Sequence, residues 1–319
     1  MIMVTTQKKE KIAYGSLLSY MDYLEKDKYA SGKNGTASIY RATRNRLALF
    51  LGKDKLNIKR VNTQLVNDFV DYLQSLSLSR NSVSNYASMF RSAYNSAVSD
   101  HLVVPKENPF QKLRLRPVPS YKRSIGTNVI KEMMQMNLGA NKRLDFARDL
   151  FLFCFMACGM TFVDLAHLTK KHLHGNILIY SRIKTKTEIR VTITPGMRYL
   201  LEKYSDVDSD LLFPILKSVD ASYETYKVAL RTYNRRLAKI GNMLNCPVKL
   251  TSYVARHSWA MCAKENAASV AMIGQVLGHT SERTTQFYLS DLDQSTIDRV
   301  NLKIIGFVEK WMNKRKSKN

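Results

Sequence analysis

Tyr253-Val-Ala-Arg256-His257-Ser-Trp259, then Leu277-Gly278-His279-Thr280, then Thr284-Thr-Gln-Phe-Tyr288-Leu289 follow one another in the last quarter of the chain, with His279 and Tyr288 nine residues apart. Each segment alone is weak. A Tyr on a short amphipathic helix is usually a core or rim residue, and a His after a Gly can be a helix cap. Together the three bring a guanidinium, an imidazole and a phenol into one ordered set. Phosphodiester transesterification needs such a set: a nucleophile, an acid for the leaving group and cations around the phosphorane oxygens. A guanidinium is always charged and its planar fork matches the non-bridging oxygens of a phosphate. A phenol forms a phosphate ester reactive enough for another hydroxyl to displace again.

Composition points to the same class of partner. Fifty Lys and Arg stand against 26 Asp and Glu, a net charge of +24 over 319 residues. A surplus of that size implies a polyanion, because neutralising phosphates releases counterions. The charge is spread along the chain, which favours wrapping nucleic acid over touching an anionic membrane. Charge alone leaves RNA binders open. The longest apolar run, Leu150 to Gly159, is far short of the ~20 residues that a membrane span needs, and no apolar signal core follows Lys8, Lys9 and Lys11. The chain is expected in the cytoplasm, associated with the nucleoid when on DNA. Its cysteines, Cys154, Cys158, Cys246 and Cys262, form no CxxC pair and have no His at zinc-ligand spacing. No metal and no cofactor is expected.

Working outward, the first third reads as helices. Leu17, Leu18, Met21 and Leu24 recur at helical spacing within Ser16 to Tyr29, and a second helix runs from Thr36 to Leu51 after a Gly-rich turn. Asn62 and Ser79 are placed to cap a third and a fourth helix. Arg41 and Arg44 load the second helix. Arg80, Ser84, Arg91 and Asn95 share the outward face of the fourth, with almost no acids beside them in sequence. Arginines on two helices of one small bundle favour contact with a DNA backbone. The stretch 105–125 carries Pro105, Pro109, Pro117 and Pro119 with Lys112, Arg114 and Arg116, and reads as an extended basic linker. Beyond it, Leu144 to Met156 is a core helix. Asn176 to Tyr180 and Glu188 to Ile193 alternate like two short strands, joined by a turn that carries Lys184 and Lys186. Helices are expected over Gly196 to Tyr204, Tyr223 to Ile240, Ser252 to Glu265, Val270 to Leu277 and Glu282 to Leu289.

The ordered motifs resemble the catalytic end of the phage-integrase, or tyrosine recombinase, family: H-x-x-R, then L-G-H, then a nucleophilic Tyr nine residues on. The resemblance extends over nearly the whole chain. It implies a mainly α fold, with an N-terminal helical SAM-like core-binding bundle (1–104), the linker (105–125) and a mixed α/β catalytic domain with a small β-hairpin (126–319). It implies a site-specific DNA recombinase working through a 3′-phosphotyrosyl intermediate. Tyr288 would be the nucleophile, Arg256 and His279 would hold the phosphate, and Tyr253 would stand at the first His position. Lys184 resembles the family's hairpin lysine, which protonates the departing 5′ oxygen; Lys186 is second choice and otherwise a DNA contact. The partners implied are double-stranded core sites and three further copies of the chain, as a homotetramer on synapsed DNA and a monomer when free. The first helix begins early, so no arm-binding domain is expected, and the expected targets are short paired core sites.

Two positions depart from the family pattern. The segment matching G-L-R-x-x-E-L is Gly159-Met-Thr161-Phe-Val-Asp164-Leu165, so Thr161 stands where an Arg is usual. The preceding position, another place for an Arg, is Cys158. Arg148 is a substitute only if the backbone bends to bring it in. Tyr253 in place of His can still hydrogen-bond a phosphate but is a poorer base near neutral pH. The alternatives are a DNA-binding protein of this fold without catalysis, and an enzyme like type IB topoisomerases that relaxes DNA without exchanging strands. After Tyr288, Ile297, Val300, Ile304, Val308 and Trp311 form a narrow apolar stripe on a helix over about 295–312. The resemblance implies that this helix passes to a neighbouring subunit.

Overall fold

The computed structural model describes residues 15–114, 118, 123–281 and 284–286. Two compact units divide between Pro119 and Ser120. Among its described residues the first holds four α-helices, α1 (Leu17–Ala30), α2 (Asn34–Leu51), α3 (Thr63–Ser75) and α4 (Arg80–Ser99). Both caps read from the sequence are formed. The Asn62 side chain accepts from the Leu65 amide at 2.9 Å and the Ser79 hydroxyl accepts from the Ser82 amide at 3.2 Å. The helices close on Leu17, Met21, Phe69, Leu73 and Phe90, all buried.

Two sequence readings change here. Ser84 does not face outward with Arg80, Arg91 and Asn95; it is buried against the bundle, because its position on α4 falls beside Val83 and Ala87 on the core side. The stretch 105–125 is not linker throughout. Phe110 is 2% exposed and meets Phe90 edge-on at 5.1 Å, with Leu113 packed against the same core. Deleting a ring buried so completely costs about 3–5 kcal/mol, so this part of the chain belongs to the first unit. At the other end, Ile125 is buried in the core of the second unit.

The second unit contains α5 (Thr127–Gln135), α6 (Lys142–Met156), α7 (Phe162–Ala166), β1 (Leu173–His174), β2 (Ile177–Ser181), β3 (Glu188–Thr192), α8 (Pro195–Lys203), α9 (Tyr223–Met243), α10 (Val254–Glu265) and α11 (Val270–Val276). The expected hairpin is present, and β1 adds a third antiparallel strand in the order β1-β2-β3. Leu178 pairs with Val191 and Tyr180 with Ile189, which puts the apolar side of both strands inward. Thr194 caps α8, whose first residue is Pro195, suited to a position that needs no amide hydrogen. The apolar helix α6 is the centre of the unit, touching α5, α8, α9 and α10. After it the chain turns sharply, with Cys158 and Gly159 both in left-handed conformation at φ 55° and 73°. That turn carries Gly159 to α10. No described helix is long and apolar enough to cross a membrane.

Candidate active site

Arg256 lies on the first turn of α10 and is 2% exposed. A guanidinium can be buried only if its donors are matched, since an unsatisfied buried charge is costly. Its Nη1 donates to the Gly159 carbonyl at 2.9 Å and its Nη2 to the Leu277 carbonyl and to His279 Nε2 at 3.3 Å. Gly159 is needed for this approach: a Cβ there would lie 3.1 Å from the Arg256 Cα, and its φ already disfavours a side chain. The Leu277 carbonyl lies just past the end of α11, where helical carbonyls lack intrahelical partners.

His279 is held between two groups. Arginine only donates, so Nε2 accepts; Nδ1 then carries the proton towards Thr285 Oγ1, 2.9 Å away. Thr285 is buried on the short helical stretch 284–286, and Gly274 leaves room for its hydroxyl, which a Cβ would approach to 2.7 Å. A hydroxyl both gives and accepts. The imidazole can therefore change tautomer, presenting Nε2–H to an arriving phosphate, and keep its bond to Thr285. Burial, then Arg256, Arg182 and Lys184, pull the imidazole down to about 4.

The sign of that shift gives a stability expectation. Below the ordinary value of about 6.5 the unfolded chain binds a proton that the folded chain refuses until about pH 4. Stability from this group is therefore full above pH 6.5 and lost as pH falls towards 4. The thermal midpoint of the wild-type chain should drop more between pH 7 and 5 than that of His279→Gln. Equal acid sensitivity in the two proteins would contradict the neutral imidazole.

The hairpin docks on the same place. Asp164 of α7, 3% exposed, accepts from the Ile183 amide at 2.9 Å and from the Thr161 hydroxyl at 2.6 Å. Thr185 donates to the Gly278 carbonyl at 3.1 Å. Lys184 is exposed on this anchored turn, and Lys186 is exposed beside it at φ 59°. Tyr253 stands immediately before α10, 46% exposed, with its ring edge-on to His257 at 5.2 Å. Tyr288 and the stripe from Ile297 to Trp311 lie outside the described residues.

One cation here was missed by sequence reasoning. Arg182 follows β2 on the inward phase of Leu178 and Tyr180, and its side chain is 6% exposed. The strand alternation that buries Leu178 and Tyr180 was the available signal, since it carries a charged residue into the interior at the next inward position. Arg148 is corrected the other way. Its guanidinium is taken up by Asp145, by Asp149 at 2.9 Å and by the Met136 carbonyl at 2.9 Å, so it does not stand in for the Arg absent at Thr161.

Family models match both units. A phage integrase SAM-like domain matches residues 16–115 and a phage integrase family model matches 124–295. The chain belongs to the phage integrase family. It is similar to tyrosine recombinase XerC of Rickettsia typhi, 24% identical over 240 residues, covering 73% of this chain and 76% of that one. It is also similar to XerC of Pediococcus pentosaceus, 24% identical over 282 residues, covering 84% and 91%. Among solved structures, a lambda integrase dimer bound to a core site aligns at TM-score 0.64 and 14% identity, over 88% of this chain and 99% of that one. The Tn1549 transposon integrase in complex with a circular intermediate DNA aligns at 0.62 and 14%, over 90% and 99%. At these identities the structural likeness establishes the fold, a helical bundle followed by the mixed integrase domain.

On the first unit of this integrase, Arg80, Arg91 and Arg114 are exposed. Arg41 and Arg44, by contrast, have acids beside them. Arg41 pairs with Glu25 at 2.6 Å over the Tyr29 ring, and Arg44 pairs with Asp22, because α1 brings its carboxylates alongside α2. The Arg44 pair is exposed on both sides and contributes only about 0–1 kcal/mol, so a phosphate can compete for that arginine, whereas Arg41 is exposed itself but pairs with a buried Glu25.

Proposed function

We propose that this integrase is a site-specific recombinase that cuts and rejoins double-stranded DNA at short paired core sites through a 3′-phosphotyrosyl bond at Tyr288. The observation that carries the reading is the convergence of Arg256 and the hairpin cations on His279, itself held by Thr285, three residues before Tyr288. DNA binding alone does not require a buried guanidinium hydrogen-bonded to an imidazole.

The Tyr288 phenol oxygen attacks the scissile phosphorus and gives up its proton to solvent water. The bond from phosphorus to the 5′ oxygen breaks, and the Lys184 ammonium supplies the proton that the departing oxygen needs. Arg256 and His279 hold the non-bridging oxygens as charge builds on them. Rejoining runs the same steps in reverse with a 5′ hydroxyl from the partner duplex, so one phosphoester replaces another. Arg41, Arg44, Arg80, Arg91, Arg114 and Lys186 contact the DNA backbone around this centre. The enzyme works where chromosomal DNA is, in the cytoplasm.

A supercoiled plasmid carrying two copies of a core site selected from random-sequence DNA tests the function. Excision from direct repeats and inversion from opposed repeats are expected, without ATP and in the presence of EDTA. Relaxation without exchange would favour a topoisomerase, and binding without strand breakage would favour a DNA-binding protein.

Exchange between two duplexes needs four protomers, and the apolar stripe beginning at Ile297 is suited to joining them. Deleting residues 297–319 should leave binding to a single core site intact and abolish paired-site complexes and strand exchange. Sedimentation with core-site DNA separates the two assemblies. Four-subunit complexes formed by the truncated chain, or its unfolding, would remove that role.

A further inference from the structure

The position usually held by the family's first arginine is Thr161, whose hydroxyl is spent on Asp164. The same Asp164 oxygen lies 3.5 Å from Nε of Arg182, so the acid of that segment faces an arginine from a different element. Arg182 Nη1 donates to the Leu277 carbonyl at 2.8 Å and to the Gly278 carbonyl at 3.2 Å. The Leu277 oxygen is also the one that Arg256 Nη2 uses. Two guanidinium nitrogens on a common oxygen stand about 5 Å apart at most. Among the described residues Nη2 of Arg182 has no hydrogen-bond partner.

The glycine of the Leu-Gly-His segment has a matching purpose. A Cβ at Gly278 would lie 2.6 Å from Arg182 Cδ, and its φ is +62°. The backbone is bare where the arginine stem passes beneath it. Gly159 does the same for Arg256. Two glycines thus admit two arginines to one carbonyl, and His279 feels both charges. Like charges brought this close repel unless an anion joins them.

We propose that Arg182 is a second phosphate-binding catalytic residue, donating through Nη2 to a non-bridging oxygen of the scissile phosphate and supplying the cation that Thr161 does not. This rests on the reading of the site as a phosphoryl-transfer centre. The pair of guanidiniums then grips one phosphate from two directions while His279 and Lys184 complete the ring of donors.

The test uses the full chain and a core-site duplex selected from random-sequence DNA, with its scissile phosphate mapped by the wild-type adduct. That phosphate is then replaced by each methylphosphonate diastereomer, in which a neutral methyl stands for one charged oxygen. On the ordinary duplex, Arg182→Gln should form adduct about 10²-fold more slowly than wild type with binding unchanged. On one methylphosphonate diastereomer the gap should close to within a few-fold, because the charge that Arg182 neutralises is gone. Arg182→Lys keeps the charge beside Asp164, folds if Gln does not, and should retain intermediate activity on the ordinary duplex with the same narrowing. A deficit equal on phosphate and on both methylphosphonates would make Arg182 a structural residue and overturn the inference, as would wild-type rates in either variant. Absence of any adduct with wild-type protein would instead overturn the reading of the site itself.

Discussion

Arg256→Ala should slow DNA cleavage by about 10²–10³-fold, the loss that follows removal of one donor to a developing oxyanion, while core-site affinity stays within a few-fold. Affinity is shared among many Lys and Arg contacts, each carrying a part of the salt dependence, so losing one phosphate contact lowers the salt slope by about one at most. Arg256 also satisfies the Gly159 and Leu277 carbonyls. Its removal leaves the Gly159 carbonyl bare, at a cost on the order of 1–3 kcal/mol, while the Leu277 carbonyl keeps its bond from Arg182, so cleavage is compared well below the melting temperature of the variant. Filter binding across a salt series, run beside single-turnover cleavage, separates the effects. A parallel collapse of binding and cleavage would assign Arg256 to docking.

Tyr288→Phe should form no covalent adduct on a suicide core-site duplex, with DNA affinity unchanged. The substitution removes one oxygen and keeps the ring, so any packing of the side chain survives while the attacking atom is lost. No other group in the proposed mechanism can replace it, and the expected loss is complete rather than graded. A denaturation-resistant adduct formed as readily by the Phe variant as by wild type would refute Tyr288 as nucleophile.

Much of the fold could be read from the chain because its signals are local. Asn62 and Ser79 cap the helices they precede, and the alternation through Leu178 and Tyr180 sets the register of β2 on β3. Arg256 and His279 were legible as a pair from motif spacing, and the structure brings them to 3.3 Å. What escaped depended on contacts distant in sequence. Nothing near Arg41 foretells Glu25 on the neighbouring helix, and nothing near Phe110 foretells its seat against Phe90. Arg182 escaped for a related reason. Its neighbours Lys184 and Lys186 suggest a solvated turn and mask the inward phase that it shares with Leu178 and Tyr180, where the hairpin docks on Asp164 and Gly278. The Arg missing at Thr161 was visible as an absence, whereas the residue facing its acid partner lies 18 positions along the chain.

The most direct measurement of the central claim is a peptide map of the wild-type protein–DNA adduct. After nuclease and trypsin digestion, mass spectrometry should find the residual nucleotide on the peptide spanning 284–299, whose single tyrosine is Tyr288, joined through the 3′ phosphate. A nucleotide on a peptide carrying another tyrosine, such as Tyr253, or a linkage through the 5′ phosphate, would contradict it.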